Sequence, residues 1–236
     1  MTESFIRQEM ALGAGAMEKL AQAHVAVFGI GGVGSYVAEG LARAGVGSLT
    51  LVDNDTIGIS NLNRQLCALH STLGKFKADV MRDRILDINP LCRVRSINAL
   101  YTEADKEQFF DEKYTYIADC IDLVSCKLSL IQTAKDRAIP IISALGTGNK
   151  LDASAFIVTD ISKTTGCPLA RVVRKELRER GIPHHKVIFS PEEPLQPLQP
   201  ETPPPGRRSI PASVSWVPSS AGLLMAGAII QDIIAL

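Results

Sequence analysis

No cysteine pair of the CxxC kind occurs in this chain of 236 residues, although it holds five cysteines, at 67, 92, 120, 126 and 167. That absence argues against a four-cysteine zinc site. The odd, scattered set points to reduced thiols in a reducing compartment. Net charge is missing as well, because 25 Lys plus Arg balance 25 Asp plus Glu. A nucleic-acid partner must then be held by a local basic patch, not by global charge. Long apolar runs are scarce. The stretch from Ala221 to Leu236 is interrupted by Gln231 and Asp232, and at about 16 residues it is short for a bilayer span. A terminal core or subunit-interface helix is expected there, with peripheral membrane contact as the alternative and no integral span. The opening Met1-Thr2-Glu3-Ser4 lacks the basic-then-apolar layout of a secretory signal, so a cytoplasmic location is expected. No internal repeat is present.

The length suits one α/β unit with decoration, and 46% hydrophobic against 21% charged residues is ordinary for an enzyme. Strand-like and helix-like runs alternate through the first two thirds, which predicts a doubly wound, Rossmann-like, mostly parallel sheet. Strands are expected at 25–28, 49–52, 92–97, 114–120 and 139–144. Helices are expected at 75–89, 102–110 and 123–137. In the helix at 75–89, Ala78, Met81, Ile85 and Ile88 recur at steps of three and four. Beyond Gly146-Thr147-Gly148 the rhythm changes. Short strands at 153–159 and 186–190 flank a helix at 168–180 that opens on Pro168 and stops before Gly181. Antiparallel pairing is expected in this C-terminal extension. Eight of the thirteen prolines fall in 191–211, which cannot hold a sheet and reads as an extended loop. The expected organisation is a single domain over 1–236, with a nucleotide-binding core at 1–148 and a substrate-side extension at 149–236.

Gly29-Ile30-Gly31-Gly32-Val33-Gly34 closes the first strand-like run, and Asp53-Asn54-Asp55 ends the second. Small residues let backbone approach a phosphate at a helix N-terminus, and an acid holds the ribose. The segments beyond Asp55 do not fit a nicotinamide site. Asn61-Leu62-Asn63-Arg64-Gln65 and Gly74-Lys75-Phe76-Lys77 bring cations and amides just beyond the acid. A triphosphate about to lose pyrophosphate requires them, because charge builds on the bridging oxygen. The inferred ligand is ATP.

GIGGVGS, LVDNDTIGISNLNRQ, GKFKADV and ADCIDLVSCK, in that order, resemble the adenylating domain of the ubiquitin-activating, molybdopterin-synthase-activating and thiamine-pathway enzymes. The match runs from about Phe5 to Gly148 and continues more loosely to the C-terminus. The strand ending ADCID, the segment GTGNKLD and VTDISKTTGCPLARVVRKELRERG resemble most the branch that cyclises threonylcarbamoyladenosine in tRNA. That branch spends ATP to activate a carboxylate as an acyl-adenylate.

The resemblance implies roles for residues. Gly29, Gly31, Gly32 and Gly34 would cradle phosphate and adenosine. Asp53 would take the ribose hydroxyls, with Asp55 competing for that role. Asn63 and Arg64 would steady the β- and γ-phosphates, and Gln65 would orient them or pair with backbone. Lys77 would contact the phosphate at the reacting bond. Asp122 would place Mg²⁺ against the triphosphate, with Asp119 as the competing candidate or else a structural carboxylate facing a backbone amide. Arg7 would reach the γ-phosphate from a second subunit, making the active unit a homodimer. Cys167, just ahead of Pro168, is either a thiolate acceptor at a helix start or a small half-buried residue. A cyclising enzyme needs no such acceptor.

The substrate handle is less distinct. Arg171, Arg174, Lys175 and Arg178 share one helical face, either as a ridge for RNA phosphates or as an ordinary solvated surface. Arg207 and Arg208 could extend the footprint. The rival expectation is an adenylyltransferase for a ubiquitin-like sulfur carrier. It would call for a groove for a C-terminal Gly-Gly tail and often zinc or a thiol, and a sulfur-transfer partner protein stays open in either case.

Overall fold

The computed structural model describes residues 3–198 and 210–235. In chain order its elements are α1 (Ile6–Leu12), α2 (Ala14–Gln22), β1 (His24–Phe28), α3 (Gly34–Arg43), β2 (Ser48–Val52), α4 (Lys77–Ile88) and β3 (Arg93–Ile97). They continue with β4 (Tyr116–Asp119), α5 (Val124–Asp136), β5 (Ile141–Ala144), β6 (Ile157–Asp160), α6 (Pro168–Glu179), β7 (Lys186–Phe189) and α7 (Trp216–Ala235). All seven strands join one sheet in the order β3-β2-β1-β4-β5-β7-β6. Every pairing is parallel except that of β6 with β7. The chain winds outward from β1 in both directions, so the topological switch lies between β1 and β4. Open α/β sheets bind ligands at such a crevice, beyond the carboxyl ends of the strands.

Periodicity accounts for these elements. β1 is buried along its whole length, as a central parallel strand covered on both faces must be. One face carries a core of Leu20, Val37, Leu41, Met81, Ile85, Met225 and Ile229. The other carries Phe28, Tyr101, Phe109, Leu130, Val173 and Leu177. α7 lies close on α3 because small residues line the crossing. A Cβ on Gly222 would meet the Val33 oxygen at 2.5 Å, and one on Gly40 would meet the Ala226 Cβ at 2.7 Å.

Two expectations change and a third holds. The extension is not wholly antiparallel, since β7 continues the parallel sheet beside β5 and only the edge strand β6 reverses. Parallel neighbours need a long crossover, and the segment between β5 and β7 supplies it with β6 and α6. The helix expected at 102–110 shrinks to a 3-10 turn at Lys106–Phe109. There Phe109 is buried against Phe28 and Tyr101, and the Tyr114 hydroxyl donates to the Phe109 carbonyl at 2.7 Å. Tertiary anchoring outweighs a helix too short to nucleate alone. The C-terminal apolar run is part of a 20-residue helix, long and apolar enough by composition to cross a bilayer. In the fold it packs against α3, and Asp232 in its last turn accepts from Lys186 at 2.7 Å and from the Tyr116 hydroxyl at 2.6 Å. The core-helix expectation holds for this element. Arg207, Arg208 and most of the proline-rich stretch lie outside the described residues.

Candidate active site

The carboxyl ends of β1, β2, β4 and β5 open into a cleft of about 970 Å³. Its floor begins at the glycine turn. Gly29 has φ +88°, and a Cβ there would meet the Cys120 carbonyl oxygen at 2.7 Å, so the turn after β1 requires glycine. Gly34 has a different duty. A Cβ on it would collide with the Gly29 oxygen, so it permits α3 to close on the turn and does not itself line the cleft. Among the described residues the N–H groups of Gly31, Gly32 and Val33 have no protein acceptor, and all three residues face the cleft. Successive free N–H groups ahead of a helix form an anion nest. The starts of α5, at Val124 and Ser125, and of α6, at Pro168 and Leu169, border the same space, adding their positive dipole ends.

Asp53 closes the loop after β2. Its Oδ2 accepts the Ile30 N–H at 2.6 Å and its Oδ1 accepts the Asp55 N–H at 2.8 Å. Burial raises its pKa, against the pull of Lys77 and of the two N–H donors. Each carboxylate oxygen keeps a lone pair for a hydroxyl from the cleft. Lys77 begins α4 with its side chain buried, and its Nζ donates to Asp55 Oδ2 at 2.7 Å. Asp55 is more than half exposed, so that pair stands at the cleft wall with its carboxylate toward water. Arg64 donates from Nη1 to the Ser60 carbonyl at 2.8 Å and to Asn63 Oδ1 at 2.9 Å. Gln65 is buried with Oε1 unpartnered and lines the cleft beside Gly31. A buried amide oxygen without a donor is costly, and a ligand hydroxyl or a bound water relieves it.

On the β4 side, Asp119 and Lys127 form a fully buried ion pair at 2.7 Å. The second oxygen of Asp119 accepts the Ile121 N–H at 3.1 Å. Asp119 is therefore structural, and it sets the turn that carries Asp122 to the cleft. Cys120 is a poor nucleophile, because burial pushes its thiol well up. Cys167 caps α6, its Sγ accepting the Ala170 N–H at 3.5 Å, and it lines the cleft while almost fully buried.

This arrangement suits a nucleoside triphosphate: an acid for a ribose, an N–H nest, two cations beyond it and a lone carboxylate opposite. The sequence matches the ThiF family over residues 5–235. The chain belongs to the ThiF family. Over 243 residues it is 44% identical to a Bacillus subtilis protein named tRNA threonylcarbamoyladenosine dehydratase, spanning 99% of this chain and 96% of the relative. The solved Escherichia coli tRNA N6-threonylcarbamoyladenosine dehydratase in complex with ATP superposes with a TM-score of 0.89 at 33% identity, covering 99% of this chain and 94% of that one. Similarity to the Escherichia coli molybdopterin-synthase adenylyltransferase is more limited, 35% over 142 residues, or 60% of this chain and 56% of that protein.

Within this ThiF fold, Gly29, Gly31, Gly32, Asp53, Asp55, Arg64, Gln65, Lys77 and Asp122 converge on the cleft. Three predicted residues do not line it. Gly34 packs the turn. Asn63 turns its amide to the Ser213 carbonyl at 2.9 Å and acts on Arg64 from behind. Arg7 lies on α1, exposed. The supposed basic ridge on α6 is partly dismantled, because Arg174 donates inward to Thr164 through both the carbonyl and the hydroxyl. Arg171, Lys175 and Arg178 remain exposed. Sequence reasoning assigned no role to Lys150, a buried lysine lining the cleft. Its signal was the glycine-bounded segment after β5, at another strand's carboxyl end.

Proposed function

We propose that this chain is an ATP-dependent tRNA threonylcarbamoyladenosine dehydratase, which adenylates the threonyl carboxylate and cyclises it with release of AMP and pyrophosphate. The observation that carries this is the free N–H nest at Gly31–Val33 joined to Arg64 and Lys77 beyond Asp53, in a chain similar over its whole length to such enzymes. Asp53 receives the ribose, and the nest with Arg64 receives the phosphate chain. A carboxylate oxygen of the substrate attacks the α-phosphorus, and the bond to the bridging oxygen breaks with its electron pair leaving on pyrophosphate. Lys77, withdrawn from Asp55, offsets that charge. The substrate's own urea group then attacks the acyl carbon, closing a five-membered ring. AMP departs and the urea proton passes to solvent. Intramolecular closure needs little further help, since well-oriented groups reach effective concentrations on the order of 10⁵ M.

No cluster of three or more metal-binding side chains exists among the described residues, but magnesium keeps waters and takes few protein carboxylates. Asp122, with no cation partner among the described residues, fits as its protein ligand, whereas Asp119 is committed to Lys127. When bound, the ion neutralises charge on the triphosphate. Arg171, Lys175 and Arg178, with α6 starting at the cleft, are the proposed contacts for RNA phosphates. Exposed Ile6, Met10, Leu223 and Leu224 support a homodimer in which Arg7 serves the neighbouring site, and five unpaired cysteines support a cytoplasmic location.

The test is AMP release with ATP, Mg²⁺ and either threonylcarbamoyl-modified tRNA or a ubiquitin-like sulfur carrier. Turnover with the modified tRNA is expected. Turnover with the carrier alone would establish the adenylyltransferase alternative instead. Arg7→Ala should lose activity that mixing with a Lys77→Ala partner partly restores, as shared sites require.

A further inference from the structure

We propose that Lys150 binds the reacting carboxylate of the substrate and holds it at the end of the cleft opposite the ribose. This role rests on the dehydratase function and adds to it the residue that recognises the group being activated.

Lys150 is 2% exposed and lines the cleft. Its Nζ has one hydrogen bond, donated to the carbonyl of Ser190, the residue that follows β7. An ammonium has three donors, so two lack a partner among the described residues. The nearby carboxylate, Glu192, is already engaged, with one oxygen accepting the Leu151 N–H at 2.9 Å and the other the Asp152 N–H at 3.1 Å. A buried cation whose single bond is to a peptide carbonyl is under-compensated. Burial accordingly lowers its pKa, against smaller opposing effects from Cys167 and Glu192. If its purpose were to tie Ser190 in place, a neutral donor would serve without the cost of the charge. An anion arriving in the cleft completes the site.

Position selects the anion. The nest, Arg64 and Lys77 gather around β1 and β2. Lys150 follows β5, two strands across from β1 through β4, which at the usual spacing is about 10 Å. Its loop is firmly held. Asn149, at φ +60°, donates its N–H to the Ala212 carbonyl at 2.8 Å, while its Oδ1 accepts the Ala212 N–H at 2.6 Å and its carbonyl accepts the Leu195 N–H at 2.8 Å. A nucleotide with its ribose at Asp53 leaves the β5 end to the group that must approach the α-phosphorus. In this reaction that group is a carboxylate.

Two anticodon stem-loop RNAs decide the matter, one carrying threonylcarbamoyladenosine and one in which its carboxylate is a carboxamide. Binding is measured with a non-cleavable ATP analogue present. Wild-type protein should prefer the carboxylate RNA by about ten- to hundred-fold, the range of a charge-assisted hydrogen bond. Lys150→Gln should abolish that preference and raise KM for the modified RNA, with affinity for the ATP analogue unchanged. Lys150→Arg should keep part of the preference. A retained preference in Lys150→Gln, or a loss confined to ATP affinity, would overturn the proposal. Should Lys150→Gln fail to melt cooperatively, carbodiimide coupling of the carboxylate RNA to wild-type protein gives the answer. An amide mapped to Lys150 supports the assignment, and coupling only elsewhere overturns it. Wild-type protein inactive on the carboxylate RNA would instead take down the dehydratase function itself.

Discussion

Lys127 on α5 and Asp119 at the end of β4 meet with Nζ and Oδ2 2.7 Å apart, and neither side chain has any exposure. The pair lies behind the cleft, and through the Ile121 N–H it decides where Asp122 stands. Removing one partner leaves a buried charge uncompensated. Lys127→Met and Asp119→Leu should each cost about 3–5 kcal/mol, while the double replacement should recover much of that loss. Chemical denaturation of the three variants tests this. Equal losses in single and double variants would show that the ion pair is not the source of the effect.

Lys77 and Asp55 form a second ion pair of the opposite character, with the lysine buried and the carboxylate toward water. Lys77→Ala should reduce ATP–pyrophosphate exchange by about 100-fold or more, the scale of losing a donor at a developing charge. Asp55→Asn should fall far less, because the proposed role of Asp55 is only to hold the ammonium between turnovers. A larger defect in Asp55→Asn would exchange their roles.

Asp122→Ala should depress exchange if the proposed Mg²⁺ contact is lost with it, and leave thermal stability within about 0.5 kcal/mol of wild type, as for other surface changes. Raising Mg²⁺ should recover part of the activity. Full activity at limiting Mg²⁺ would remove Asp122 from the mechanism.

His185 is buried beside Ser143, with Nε2 2.8 Å from the hydroxyl and Nδ1 unpartnered. Burial first, then Lys135 and Lys127, lower its pKa to about 3. The unfolded chain therefore binds a proton below about pH 6.5 that the native state refuses. Stability from this group is fully present above pH 6.5 and is lost as pH falls toward 3, by at most about 1.4 kcal/mol per pH unit. His24, also lowered by burial, adds in the same direction. Melting between pH 5 and 7, where the carboxylates stay ionised, should slope upward with pH. His185→Gln should flatten that slope, and an unchanged slope would point to other groups.

Cys167→Ala should leave cyclisation within a few-fold of wild type, because the thiol serves as a helix cap and fills the space against Gly146. A Cβ on Gly146 would lie 2.5 Å from Sγ at a φ of +56°, so Gly146→Ala should destabilise the loop and Cys167→Ala should relieve only the contact part. Loss of all turnover in Cys167→Ala, as read by AMP release, would restore a thioester step.

Much of the nucleotide half was legible in the chain because its signals are local. A short apolar run, Val25 to Phe28, ending in Gly29-Ile30-Gly31-Gly32 specifies a strand and a tight turn without reference to anything distant. The position of Asp53 and Lys77 at the cleft could be read for the same reason, each standing at the edge of a strand or helix whose period is plain. Other signals misled. Gly34 looks like its neighbours, yet only the closeness of the Gly29 oxygen reveals a packing duty. Arg174 shares a helical face with Arg171 and Arg178, but Thr164 lies ten residues away and draws it inward.

Composition and order alone determined a mostly parallel, doubly wound architecture, a glycine turn with an acid beyond the next strand and the absence of CxxC pairs, since strand period, turn chemistry and motif spacing act over a few residues. Tertiary structure alone decided which side chains share the cleft and in what electrostatic state. The pairing of Asp119 with Lys127, the contact of Lys77 with Asp55 and the single hydrogen bond of Lys150 among the described residues depend on segments brought together by packing. Burial and distance set the cost of a charge, and neither exists until the chain has folded.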